Sequence, residues 1–209
     1  MLNTACFNRH ENRALYLPPF LVRTAANELF MKLTKQQTKL HDEAIALLKH
    51  PRDLKEDEVA FVLDNYHPGA EMNIGKSGVF FTPAGLAIDL AVFAYPIGER
   101  GSVRYIDACA GIGRLTWAIK DVDGAENKIS EIIAVEQNPR FVEIGRKLFP
   151  DVSWVEGSIF SLDCIRDLGW FDIGISNPPF GNLPDTATER GWLANGQPAH
   201  LGFYSWLFN

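Results

Sequence analysis

The 209 residues, 46% hydrophobic and 22% charged, make an ordinary globular composition, long enough for one α/β domain with a modest extension. No apolar run approaches the ~20 residues that span a bilayer, and the three scattered cysteines (Cys6, Cys109, Cys164) suit neither a disulfide framework nor a zinc site, so no membrane and no metal is expected. A net charge of −6 makes a poor stand-alone duplex binder, because phosphate neutralisation dominates nucleic-acid affinity.

The first residues lack a basic flank followed by an apolar core, so no secretory signal is expected, and with unpaired cysteines a cytoplasmic location is anticipated. Residues 1–23 are mixed, and Pro18-Pro19 break any regular element. From Thr24 to His50, Ala26, Leu29, Phe30, Leu33, Leu40, Ala44, Leu47 and Leu48 form a helical stripe opposite a polar face, and Pro51 ends it. A second helix is expected from Asp53, with Glu56 three residues on as a capping-box signal, to about Asn65. His67-Pro68-Gly69 and Gly75-Lys76-Ser77-Gly78 frame a loop, giving an N-terminal helical extension over residues 1–77.

Beyond it, residues 78–209 read as one α/β domain. Phe81-Thr82-Pro83 precedes an apolar helical stretch from Ala84 to about Tyr95. Short strands are predicted at Val103–Ile106, Ile132–Val135, Val152–Val155 and Phe171–Ile175. Between them, Thr116–Lys120 lies in a helix, the polar stretch Asp121–Lys128 loops out, and Asn138-Pro139 starts a helix running to Phe149. This alternation predicts a doubly wound, mostly parallel, Rossmann-like sheet.

The first of these strands runs into Asp107-Ala108-Cys109-Ala110-Gly111-Ile112-Gly113, the strand–loop–helix start of a nucleotide-binding sheet, where glycines let a ligand approach the backbone. A third glycine is missing, since Arg114-Leu115-Thr116 follows, which disfavours a dinucleotide. The second strand ends in Glu136, which can take both hydroxyls of a ribose or can be a solvated surface carboxylate. The fourth leads into Asn177-Pro178-Pro179-Phe180. Two prolines make a stiff segment whose carbonyls face no competing N–H, so an amide oxygen, a carbonyl and a ring could hold a planar base with an exocyclic amino group. A plain Pro-rich turn explains the tetrapeptide equally well.

In order and identity, Phe81-Thr82-Pro83, the Asp107–Gly113 loop, Glu136 and Asn177-Pro178-Pro179-Phe180 together resemble the S-adenosylmethionine-dependent amino methyltransferases of class I that modify the N6 of adenine and carry an NPPF motif. The resemblance spans about residues 78–208. It implies S-adenosyl-L-methionine as cofactor, with Thr82 near its methionine carboxylate, Phe81 also at the cofactor site, and Asp107, Ala108, Gly111 and Gly113 forming its loop. Glu136 would bind the ribose, Ser158 would stand opposite the adenine amino group, and Ile159 and Phe160 would flank that adenine. Asn177, Pro178, Pro179 and Phe180 would be the catalytic segment holding the target base, with Asn177 also beside the cofactor.

Two departures stand out. Ser158 replaces the acidic residue usual in the family, and only 28 residues follow Gly181, so three of the family's seven strands are expected to be missing. That leaves the active-site strand at an exposed edge, and implies a fragment, a second chain completing the sheet, or an inactive cofactor- or partner-binding remnant. The nucleic-acid partner implied is DNA, suggested by the Phe-Thr-Pro segment, with unpaired RNA as the alternative that better suits an acidic chain.

Overall fold

The computed structural model describes residues 5–8, 13–16, 33–71, 81–95, 102–124, 126, 128–159 and 168–177. Helix α1 (Lys35–Leu48) begins at a closed capping box: the Thr34 hydroxyl accepts from the Gln37 amide at 3.2 Å, and the Gln37 side chain accepts from the Thr34 amide at 2.9 Å. Thr34 is extended and Leu33 precedes the cap, so the helix expected to run through from Thr24 starts at Lys35, and the part of the stripe before Leu33 falls outside the described residues. Helix α2 (Glu56–Asn65) starts three residues later than Asp53. Glu58, not Glu56, closes its first turn, accepting from the Lys55 amide at 2.8 Å and from both ends of the Arg52 guanidinium at 2.6 and 2.7 Å. Those contacts, Arg52 foremost, hold the Glu58 carboxyl down to about 2. A single turn, α3 (Pro68–Glu71), follows.

Helix α4 (Ala84–Ala94) is apolar on nearly every side. The chain then alternates: β3 (Val103–Asp107), α5 (Arg114–Asp123), β4 (Ile129–Glu136), α6 (Pro139–Leu148), β5 (Ser153–Glu156) and β6 (Ile173–Ser176). Asn138 caps α6 by accepting from the Arg140 amide at 3.0 Å, with Pro139 in the first turn as expected. The stretch from Asp121 to Lys128 does not loop out as a whole. Its first three residues complete α5, and the Asp123 carboxylate accepts from the Lys128 amide at 2.8 Å and the Tyr95 hydroxyl at 2.6 Å, pinning the turn that leads into β4.

All four predicted strands are present and parallel, and two more precede the helices. β1 (Ala5–Asn8) and β2 (Arg13–Tyr16) form an antiparallel hairpin, giving the order β2-β1-β6-β3-β4-β5. β1 pairs antiparallel with β6, Ala5 opposite Ser176 and Asn8 opposite Ile173. This corrects two expectations. Residues 1–23 do contain regular elements, and the edge of β6 anticipated to be bare, or to need a second chain, is taken by this chain's own hairpin. The N-terminal segment is therefore not purely helical.

In the core, Ala87, Leu90, Ala91 and Ala94 of α4 meet Leu115, Ala118 and Ile119 of α5 over Val103, Tyr105, Ile173 and Ile175 of the sheet. Beside this layer, Val59, Val62, Leu63 and Tyr66 of α2 and its C-terminal neighbour pack with Phe141, Ile144 and Leu148 of α6 and with Trp154. The extension thus shares its core with the sheet domain. Ile106, Ile133 and Val135, which alternate to the opposite face, are also buried, as strands of a parallel sheet must be. Arg104 ties the base of β3 to the approach to β6: its side chain bonds Glu131 at 2.6 Å and the carbonyls of Trp170 and Leu168, while its amide donates to Asp172. Among the described residues no helix is long and apolar enough to cross a membrane, and no cluster of metal-ligating side chains occurs.

Candidate functional site

The chain winds from β3 outward through β4 to β5 and then returns to place β6 on the other side of β3. The carboxyl ends of β3 and β6 therefore flank a topological switch point, where open α/β sheets leave a crevice. Asp107 ends β3, opposite Ala134 on one side and Ile175 on the other, so Asn177, just past β6, comes beside the loop that leaves β3. Glu136 ends β4, one strand along.

The loop itself is held by backbone bonds. The Ala110 amide donates to the Val135 carbonyl at 3.0 Å, and the Gly113 amide to the Ala110 carbonyl at 2.8 Å. Gly111 (φ +58°) and Gly113 (φ +98°) both lie in the left-handed region, which side chains with a Cβ resist. The space a Cβ would need is also filled from within: at Gly111 it would stand 3.0 Å from the Phe81 ring, and at Gly113 2.7 Å from Phe149. These glycines serve turn geometry and internal packing as much as ligand approach. Phe81 is braced in turn by Phe141, ring centroids 5.4 Å apart, and by Tyr66 at 6.2 Å.

Glu136 links the two strand ends. One carboxylate oxygen accepts from the Gly111 amide and the other from the Asn138 amide, both at 2.8 Å. It is half-buried, and burial raises its carboxyl above the ordinary value against those amide bonds. A carboxylate has about four acceptor positions, so capacity remains to receive a ligand hydroxyl. Asp107 is wholly buried; its Oδ2 accepts from the Thr116 hydroxyl at 3.1 Å, and its Oδ1 makes no good hydrogen bond among the described residues. Burial, and then the charge of Glu136, push the Asp107 carboxyl up to about 7. Burial pushes the neighbouring Cys109 thiol up as well, which makes it unreactive.

Two acidic groups side by side, one short of partners, with no basic residue in the loop from Asp107 to Gly113, form a site that repels phosphate and attracts a cation bearing hydroxyls. That set fits the sulfonium, ammonium and ribose of S-adenosylmethionine and fits a dinucleotide poorly.

Of the residues singled out in the sequence, Asp107, Ala108, Gly111, Gly113 and Glu136 meet around this loop, with Phe81 standing on Gly111. Thr82 is buried next to Phe81 in the chain. Half-buried Ser158 and buried Ile159 follow β5, where the Gly157 amide donates to the Glu136 carbonyl at 3.0 Å, so they adjoin the same strand ends. Asn177 is half-buried at the end of β6. Phe160, Pro178, Pro179 and Phe180 lie outside the described residues. The sequence reading missed Thr116, the partner of Asp107. Its place in the first turn of the helix after the loop, nine residues on, was the available signal.

No family model matches the chain, and no curated protein matches it. Among solved structures, a chain from Listeria monocytogenes, provisionally assigned as a class I S-adenosylmethionine-dependent methyltransferase, is similar at 16% identity and a TM-score of 0.50, over 88% of this chain and 69% of that one. Strand order and this likeness agree: the chain has the Rossmann-like fold of class I S-adenosylmethionine-dependent methyltransferases.

Proposed function

We propose that this protein binds S-adenosyl-L-methionine and methylates the exocyclic N6 of adenine in nucleic acid, DNA in the first instance. The observation that carries the reading is the paired Asp107 and Glu136 carboxylates around a phosphate-repelling loop, with Asn177 at the adjoining strand end across the switch point. Asp107 and the loop would hold the methionine end, Glu136 the ribose, and Ile159 and Phe160 the adenine. Ser158, a hydroxyl in place of a charge, would make the weaker contact to the adenine amino group. Bound there, the cofactor supplies a methyl group on a positively charged sulfur.

The chain's own part is to make a poor nucleophile adequate. The adenine amino lone pair is delocalised into the ring. The Asn177 side-chain oxygen and the Pro178 carbonyl would accept its two N–H bonds and draw that lone pair back onto nitrogen, while Phe180 would stack on the base, in a segment that two prolines make stiff. Orientation supplies much of the acceleration. An Asn side chain is no base at neutral pH, so the displaced proton leaves to water. In duplex DNA the target must first be flipped out, costing a few kcal/mol.

Unpaired RNA is the second reading, favoured by the net charge of −6. Purified protein incubated with labelled S-adenosylmethionine and either duplex DNA or single-stranded RNA should yield N6-methyladenine. Label in RNA alone moves the substrate. No label in either, with cofactor still bound, leaves a binding remnant; no cofactor binding overturns the reading.

A further inference from the structure

We propose that the carboxyl end of α2 is a clamp on the glycine loop, and that Asp64 is a positioning residue for cofactor binding, acting through Arg114. The inference rests on the functional reading above for its ligand but not for its geometry. Arg114 is the first residue of α5, directly after Gly113, and its side chain is only 8% exposed. A buried cation at that place is costly. It opposes the positive end of the helix dipole, and its Nε has no partner among the described residues. Helix stability alone does not account for it.

What holds the guanidinium is Asp64, in the last turn of α2, at 2.7 Å. The Trp117 ring also lies against it, 5.6 Å from centroid to guanidinium carbon. Two residues after Asp64, Tyr66 reaches the loop by a second route: its ring packs on Phe81, and Phe81 stands on Gly111. One helix end therefore fixes both sides of the loop, at Gly111 through stacked rings and just beyond Gly113 through a charge pair. The same first turn of α5 carries Thr116, which bonds Asp107. A shift of Arg114 thus moves the Asp107 partner and the Gly113 corner together.

Asp64→Asn removes the charge and keeps the shape, at a side chain that is 56% exposed, so the fold should survive. Two measurements test the clamp. In the ligand-free protein, hydrogen exchange of the Ala110, Gly111 and Gly113 amides should quicken about five- to ten-fold, the lower part of the usual coupling range, while amides of β4 remain as in the wild type. By calorimetry, the dissociation constant for S-adenosylmethionine should rise by a similar factor, and Asp64→Glu should recover most of it. Loop exchange unchanged in Asp64→Asn overturns the clamp whether or not the cofactor binds. Faster exchange with an unchanged dissociation constant overturns the positioning role. A wild-type protein that binds no S-adenosylmethionine overturns the functional reading and, with it, the positioning role, while the exchange result still decides the clamp.

Discussion

Asp107→Asn is the most informative substitution, because burial makes the consequence large and gives it a sign. The Asp107 carboxyl sits at about 7 against an ordinary 3.8. A carboxyl raised in the folded state binds its proton more tightly there than in the unfolded chain. Stability is therefore highest at low pH and is lost as pH climbs from about 4 to about 7. Each pH unit in that window is worth about 1.4 kcal/mol, so holding this group ionised at pH 8 costs ~4 kcal/mol if the surroundings do not relax. The substituted amide would keep an acceptor for the Thr116 hydroxyl and would not titrate. Relative to wild type, the variant should gain nothing below pH 4 and up to ~4 kcal/mol by pH 8, or on the order of 10 °C in midpoint at ~2–4 °C per kcal/mol. Urea and thermal unfolding of both proteins at several pH values between 4 and 8.5 would measure it. The slope of the difference is the readout, since burying an amide adds an offset that does not depend on pH. A flat difference, or a wild-type advantage that grows with pH, would refute the reasoning. A bound cation should reverse the preference, so S-adenosylmethionine should stabilise the wild type most above pH 7 and Asp107→Asn much less.

Other substitutions probe separate links. Gly145→Ala would place a Cβ 2.1 Å from the Trp154 indole, and overpacking of ~1–3 kcal/mol should outweigh the ~1 kcal/mol helix gain; a raised unfolding midpoint would show that the indole moves freely. Asn177→Ala should cut methyl transfer at least ~100-fold, as loss of an oriented polar group in an active site does, with cofactor affinity by calorimetry within a few-fold; equal losses in both would mean that Asn177 binds cofactor rather than base. Deleting residues 1–16 should bare the β6 edge and produce concentration-dependent association in sedimentation. A well-behaved monomer of wild-type stability would mean that the hairpin is dispensable.

What could be read from the sequence was local. Asn138-Pro139 carries its own capping chemistry, and α6 begins there. Four short apolar runs between helical patterns were enough to place the parallel strands, because burial on both faces leaves a continuous signal. The hairpin was not legible. Ala5–Asn8 and Arg13–Tyr16 are four residues each, too short for periodicity to register, and what stabilises β1 is a partner far along the chain. The start of α2 was misplaced because Asp53 and Glu56 have the right spacing while Glu58 has the better partners in Arg52 and the Lys55 amide. At the candidate site, residue types single out Asp107, Glu136 and Asn177, which the fold brings to adjoining strand ends. The raised carboxyl of Asp107, the Thr116 hydroxyl beside it and the Arg114–Asp64 pair belong to three-dimensional neighbours, which spacing along the chain does not reveal.

The pairing of Ala5 with Ser176 also sets a timetable. During synthesis the hairpin emerges before the strand it borders, which is made about 170 residues later, roughly 10–30 s at ordinary elongation rates. For that interval β1 has one side without its partner, and β6 arrives to find its neighbour already waiting. The polypeptide closes its sheet as a belt is buckled, an early segment against a late one.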